Sequence, residues 1–269
     1  MRIIQISDTH HSVAHPYFAE NVAATTRWLK NAEADIVIHT GDLAMDGAAS
    51  AHDLALGAEW IRETGRDIFV VPGNHDVGDH VAIKPTQQVD DSRLEQWREM
   101  VGPDFWSVDR SGWRLIGLDA MLMGTGHREE ARQFEWFADA LDTTGPVAIF
   151  LHKPLFIDHP EEGPRGYWTV TPEPRRKLLA LMQNADIRLV ASGHLHIHRQ
   201  YRHGDTEFVW GPASSFVVGD SQEDLGGDRL LGAVVHDFSE TGVASTFIRP
   251  HGVEDLLIEP VGDIIYAAS

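Results

Sequence analysis

The stretch Ile68-Phe69-Val70-Val71-Pro72-Gly73-Asn74-His75-Asp76 decides how the chain is read. Four apolar residues suit a short buried strand, and Pro72 ends it. Gly73 then opens a tight turn that presents Asn74 and His75 at the strand's carboxyl end. Taken alone, Gly-Asn-His-Asp also fits an ordinary turn, because Gly and Asn favour that geometry. Its weight comes from four other apolar runs that also end in a His, an Asp or a Gly-Asp pair.

Upstream, Ile3-Ile4-Gln5-Ile6 reads as a buried strand ended by Ser7-Asp8-Thr9-His10. In an extended segment residues two apart point to one side, so Asp8 and His10 can grip one ion. Read without the later motifs, Asp8 and His10 fit a helix-capping Asp beside a surface His better than a metal grip. The next strand, Asp35 to His39, leads to Thr40-Gly41-Asp42. A parallel strand there delivers Asp42 to the same edge as Asp8, although Gly-Asp is also a common turn. Phe18, Val22 and Leu29 fall at helical spacing between Tyr17 and Asn31, as do Leu54, Ala58 and Ile61 before Gly65. This is the βαβαβ pattern of a parallel sheet, in which functional groups collect beyond the strands' carboxyl ends.

Downstream, positions 78–88 read as a loop. Leu94, Trp97 and Val101 predict a helix closed by Gly102. Phe105 to Val108 and Trp113 to Leu118 predict paired strands, and Phe134, Phe137, Ala138 and Leu141 predict one core-facing side of a helix. Pro146 to Leu151 is an apolar strand with His152 at its end. Asp158 to Pro174 is proline-rich and irregular and carries Arg165, Tyr167 and Trp168; it reads as a lid or as a plain surface loop. After a helix from Lys177 to Met182, the strand Ile187 to Val190 runs into Gly193-His194-Leu195-His196, which repeats the spacing of Asp8 and His10. Glu207 to Trp210, Leu230 to Phe238 and Val243 to Ile248 are the clearest later strands. With no repeat and no linker, the sequence predicts a single domain over 1–269.

Lysine and arginine number 22 against 41 acidic residues, a formal net charge of −19. This balance disfavours bulk nucleic-acid binding and anionic membranes. An anionic substrate then needs a locally positive site, which bound metal supplies. The absence of cysteine excludes disulfides, zinc–thiolate sites and thiol nucleophiles. Any metal must be held by His, Asp, Asn or Glu, ligands that suit zinc, manganese, iron or cobalt. Met1 leads directly into a strand-like run, with no signal-peptide core and no membrane-length apolar run, so a soluble cytoplasmic protein is expected.

In order and content, Asp8-x-His10, Gly41-Asp42, Gly73-Asn74-His75-Asp76, His152 and Gly193-His194-x-His196 resemble the calcineurin-like metallophosphoesterases, over positions 1 to about 215. The resemblance implies an α/β fold, a four-layer αββα sandwich of two mixed β-sheets flanked by helices. Residues 204–269 would complete it and contribute to a homodimer interface. It implies two divalent or trivalent metal ions (Mn, Fe, Zn or Co) with Asp42 between them. Asp8, His10 and His196 would complete one site, and Asn74, His152 and His194 the other. The implied reaction is hydrolysis at phosphorus by a metal-bound hydroxide in line with the leaving oxygen. His75 matches the family's catalytic histidine, which is not a ligand, and Asn74, His75 and His80 are the expected substrate contacts.

Pro72 stands where the phosphoprotein phosphatases carry Arg, and no Arg follows at Asp46-Gly47. A phosphoprotein substrate is therefore not expected. The Pro-Gly-Asn-His-Asp form looks more like class III cyclic-nucleotide phosphodiesterases and glycerophosphodiesterases, although Lys153 replaces a proline often found after the histidine in that branch. The expected function is hydrolysis of small phosphodiesters, cyclic nucleotides first. Glycerophosphodiesters or phosphomonoesters are the alternative, and a catalytically dead scaffold would be expected to have lost ligands. His11, Arg165, Tyr167 and Trp168 are further candidate contacts, the last two by stacking on a base. Lys153 touches a phosphate or is a solvated charge. His39 supports the site or the core, and Asp76 orients a ligand or stabilises its turn.

Overall fold

The computed structural model describes residues 1–240 and 242–266. Strand β1 (Arg2–Ile6) pairs in parallel with β2 (Ile36–His39), and β2 with β3 (Ile68–Val70). Helices α1 (Ala19–Asn31) and α2 (Ala51–Thr64) make the crossovers. Ser50 caps the start of α2 by accepting the Asp53 N–H, and Gly65 closes its end at φ 66°, a left-handed conformation that costs glycine little.

Two antiparallel strands from late in the chain, β10 (Ala233–Phe238) and β11 (Val243–Ile248), extend this sheet on the far side of β1. The second sheet has the order β4-β5-β6-β7-β9-β8. Its strands are β4 (Trp106–Arg110), β5 (Trp113–Leu118), β6 (Val147–Leu151), β7 (Ile187–Ser192), β8 (Arg199–His203) and β9 (Thr206–Trp210). Strands β5, β6, β7 and β9 run parallel, while the two edges are antiparallel.

Period-two geometry explains why these strands read as unbroken apolar runs: both faces are covered. Ile3, Ile36, Ile38, Ala148, Phe150, Leu189 and Ala191 cluster between the two sheets. Their strand neighbours Ile4, Ile6, Val37, Val147, Ile149, Leu151 and Val190 face the other way. There they cluster with Val22, Leu29, Leu54 and Trp60 of α1 and α2. On the second sheet the helical partners come from α5 (Arg128–Ala140) and α6 (Pro172–Met182). The result is helix, sheet, sheet, helix, as the resemblance implied.

Several local expectations change. Gly73-Asn74-His75-Asp76 is not a bare turn but enters a one-turn helix, α3 (Asn74–Val77). Helix α4 spans Asp91–Met100, with Val101 just past its end. On α5 the buried face is Gln133, Phe134, Phe137 and Ala140; Ala138 is exposed. Helix α6 begins at Pro172, earlier than expected, because a proline in the first turn needs no N–H partner. Strand β8 and helix α7 (Glu259–Tyr266) were not foreseen. No described helix is long and apolar enough to cross a membrane.

Candidate metal centre

The carboxyl ends of β1, β2 and β3 meet those of β6 and β7 at one rim. The backbone there is unusual. Among the described residues, the non-glycine residues with positive φ are Asp8, His10, Asp42, Ser111, His194 and His196. All but Ser111 are candidate ligands. Left-handed geometry costs about 1–3 kcal/mol per residue, and such strain collects at functional sites. Asp8 and His10 therefore do not share a side by lying in an extended strand. They sit in a coiled turn whose N–H groups bond to Gly41 O at 3.0 Å and Asp42 O at 3.1 Å. His194 and His196 share the positive φ, but there the His194 N–H donates to Asp8 Oδ2 at 3.1 Å.

Two glycines allow the approach of these turns. A Cβ at Gly73 would lie 2.1 Å from Asp42 Oδ1, and one at Gly193 would lie 1.9 Å from Ser7 Oγ. Asp76 ties the turns together. Buried, it accepts the N–H groups of Gly73, Leu43 and Ala44 at 2.9–3.1 Å, so it stabilises the turn and orients no ligand directly. Burial and the Asp42 charge push its carboxyl up to about 7, against the pull of those three donors.

Two trios result, Asp8/His10/His196 and Asp42/His152/His194, and His75 joins His10 and Asp42 in a third grouping. In the first, His196 Nε2 lies 3.2 Å from His10 Nε2 and 3.3 Å from Asp8 Oδ1. In the second, His152 Nε2 lies 3.2 Å from Asp42 Oδ2, 3.2 Å from Asn74 Oδ1 and 3.1 Å from His194 Nδ1. Asp42 Oδ2 is also 3.8 Å from His10 Nε2, so this carboxylate stands between the trios.

Backbone carbonyls set the tautomers. His152 Nδ1–H donates to Thr40 O at 2.7 Å, His196 Nδ1–H to Phe216 O at 2.6 Å, and His194 Nε2–H to Tyr167 O at 2.9 Å. Each ring then turns its other nitrogen, a lone pair, toward further acceptors. Asp8 Oδ1 and His10 Nδ1 are buried with no hydrogen-bond partner. Lone pairs facing lone pairs at hydrogen-bond distance are repulsive unless cations sit among them, so the donor set fits metal ions.

Electrostatics agree. Burial, then the neighbouring imidazoles, hold His10 and His194 well below the usual histidine range. Burial alone would lower His152, but the Asp42 carboxylate outweighs it and pushes the ring to about 9. Burial alone would raise Asp42, but the imidazoles of His152 and His75 hold it well below the carboxylate range.

A cavity of about 330 Å³ opens onto these groups. His10, Asp42, Asn74, His75, His194 and His196 line it, with Tyr167 and Trp168 near one trio and Phe216 near the other. The segment holding Tyr167 and Trp168 is thus a wall of the cavity and not a plain surface loop. His75 Nδ1–H donates to Met45 O at 2.5 Å, and the His75 backbone N–H donates to Asp42 Oδ1 at 2.9 Å.

Other expected contacts lie elsewhere. His80 does not line the cavity; its Nδ1 accepts the Ala82 N–H within its own turn. His11 packs on Trp60, with ring centroids 5.0 Å apart. Arg165 pairs with Asp158 and Glu162. Lys153 is neither solvated nor turned to the cavity: it is buried against Asp79, Nζ to oxygen 2.7 and 2.9 Å. His39 is buried, hydrogen-bonded to Thr9 Oγ1 and the Gly41 N–H, and supports both turns. Lys84, Phe216, Val218 and Gln222 line the cavity without having been foreseen. Only Phe216 carried a signal, an aromatic after a small-residue run; the others lie in segments with no periodicity.

The family model described as calcineurin-like phosphoesterase matches residues 1–198. A protein of Synechococcus sp. named as a probable cyclic nucleotide phosphodiesterase is 25% identical over 80% of this chain and 81% of its own length. A protein of Pongo abelii named serine/threonine-protein phosphatase CPPED1 is 26% identical over 71% of this chain, which spans 60% of that relative. The solved structure of a purple acid phosphatase, PPD1, from yellow lupin seeds superposes with a TM-score of 0.67 at 14% identity, covering 95% of this chain and 52% of that one.

Proposed function

The chain belongs to the calcineurin-like phosphoesterases, and from that premise we propose that it is a binuclear metal-dependent phosphodiesterase acting on small diesters, cyclic nucleotides among them. The observation that carries the metal reading is the set of lone pairs converging from Asp8, His10, Asp42, Asn74, His152, His194 and His196. Asp8, His10 and His196 would hold one ion, Asn74, His152 and His194 the other, with Asp42 shared. Bound there, the ions would supply positive charge for phosphoryl oxygens and lower the pKa of water.

The protein's own groups do the rest. With two carboxylates among the ligands, two bound dications would leave the site net positive and would draw an anionic ester into a chain of formal charge −19. The neutral amide of Asn74 adds no negative charge. His75 Nδ1–H donates to Met45 O, so proton transfer to a leaving oxygen would go from Nε2 of the doubly protonated ring. Tyr167, Trp168 and Phe216 give the cavity aromatic walls suited to a flat heterocycle. The likeness to the Synechococcus protein supports a diester, and that to the CPPED1 phosphatase supports a monoester as the second reading.

The discriminating experiment compares bis-p-nitrophenyl phosphate with p-nitrophenyl phosphate in manganese, followed by a panel of 3′,5′- and 2′,3′-cyclic nucleotides. Faster turnover of the diester supports the proposal. Turnover of the monoester alone replaces it with the phosphatase reading.

A further inference from the structure

Tyr167 touches two ligands of the same proposed metal from a third segment of chain. Its hydroxyl oxygen accepts the Asn74 Nδ2–H at 3.0 Å, and its carbonyl accepts the His194 Nε2–H at 2.9 Å. Its ring lies 4.6 Å from the His194 ring and 5.1 Å from Lys153 Nζ. Lys153 is itself fixed by its buried pair with Asp79.

We propose that Tyr167 is a positioning residue for the metal held by Asn74, His152 and His194. Its hydroxyl sets which way the Asn74 amide faces, and its carbonyl sets which His194 nitrogen carries the proton. This inference rests on the metal reading above.

An amide's oxygen and nitrogen are nearly the same size, so packing alone does not orient it. Asn74 Oδ1 faces His152 Nε2 because Nδ2 is engaged by Tyr167. Turned over, the amide would aim N–H donors at the cation. For His194, the proton on Nε2 leaves a lone pair on Nδ1, the atom 3.1 Å from His152 Nε2. The ammonium near the Tyr167 ring holds the ring in place by a cation–π contact within the usual ~6 Å range. The aromatic wall of the cavity and the second metal are therefore linked: what loosens one loosens the other, reciprocally.

The test is calorimetric titration of the metal-stripped full chain with manganese, for wild type, Tyr167→Phe and Arg165→Ala. Tyr167→Phe keeps the ring and the carbonyl and removes only the hydroxyl. Arg165 lies two residues away on the same segment, outside the cavity, and pairs with Asp158 and Glu162. The expected result is two manganese per wild-type chain, with one of them weakened about 10–100-fold in Tyr167→Phe and both unchanged in Arg165→Ala. Wild-type affinities in Tyr167→Phe overturn the proposal. Equal weakening by Arg165→Ala also overturns it, since order of the segment would then be the cause. A wild-type chain that takes up no manganese overturns the metal reading itself, a distinct outcome.

Discussion

Asp42 holds His75 in place: Oδ1 accepts the His75 backbone N–H at 2.9 Å, while Oδ2 lies 3.2 Å from His152 Nε2. One carboxylate thus joins the histidine proposed to protonate the leaving group to the proposed metal ligands.

Asp42→Asn separates the two tasks. The amide oxygen can still accept the His75 N–H, but the charge between the trios is gone. Manganese per chain, measured by elemental analysis, is expected to fall from two to less than one. Hydrolysis should drop by more than about 10²-fold. A variant that keeps both ions contradicts the shared-ligand assignment.

His75→Ala is expected to keep both ions and lose turnover by about 10²–10⁴-fold. His75 also groups with His10 and Asp42 within ligand distance, so the metal count is the deciding readout. Loss of an ion along with turnover would move His75 into the ligand set.

Gly193→Ala inserts a methyl 1.9 Å from Ser7 Oγ and 2.7 Å from Asp8 Oδ2. Overpacking of this kind costs about 1–3 kcal/mol, and here it also displaces Asp8. The urea midpoint should fall and the metal near Asp8 should weaken. Gly163→Ala meets nothing within 4 Å and should behave as wild type in both measurements.

His236 gives a pH prediction away from the metal centre. It is buried between Gln5 Oε1 and Ser245 Oγ, and burial lowers its pKa to about 3. The unfolded chain therefore binds a proton there that the folded chain does not, between the ordinary 6.5 and about 3. Stability is full above that window and falls as pH drops through it, by up to about 1.4 kcal/mol per pH unit for one group. His236→Gln should flatten the loss of denaturation midpoint from pH 6.5 to 4. An unchanged slope contradicts the assignment.

Much of this arrangement was legible because parallel strands buried on both faces show as short apolar runs, and each run ends where its functional group begins. Asp42 could be placed at one edge with Asp8 for that reason, whereas His152 and His194 joined them only through the family resemblance. The turn geometry was not legible. Asp8-x-His10 suggests an extended pair, yet both residues are left-handed because the 41–43 carbonyls draw their N–H groups into a second register. Strand β8, Arg-Gln-Tyr-Arg-His, escaped notice because an edge strand needs little apolar character. Lys153 was misread because sequence cannot show that Asp79, distant along the chain, waits to pair with it. Lys84 and Gln222 reach the cavity from segments whose course only the fold determines.

The central claim is that lone pairs from distant segments converge on two cations. Anomalous X-ray scattering from a manganese-loaded crystal tests it directly. Two peaks about 3.5–4 Å apart are expected on either side of Asp42, one beside Asp8, His10 and His196 and one beside Asn74, His152 and His194. No peak among these residues, or a single peak that leaves either trio without metal, would contradict the account.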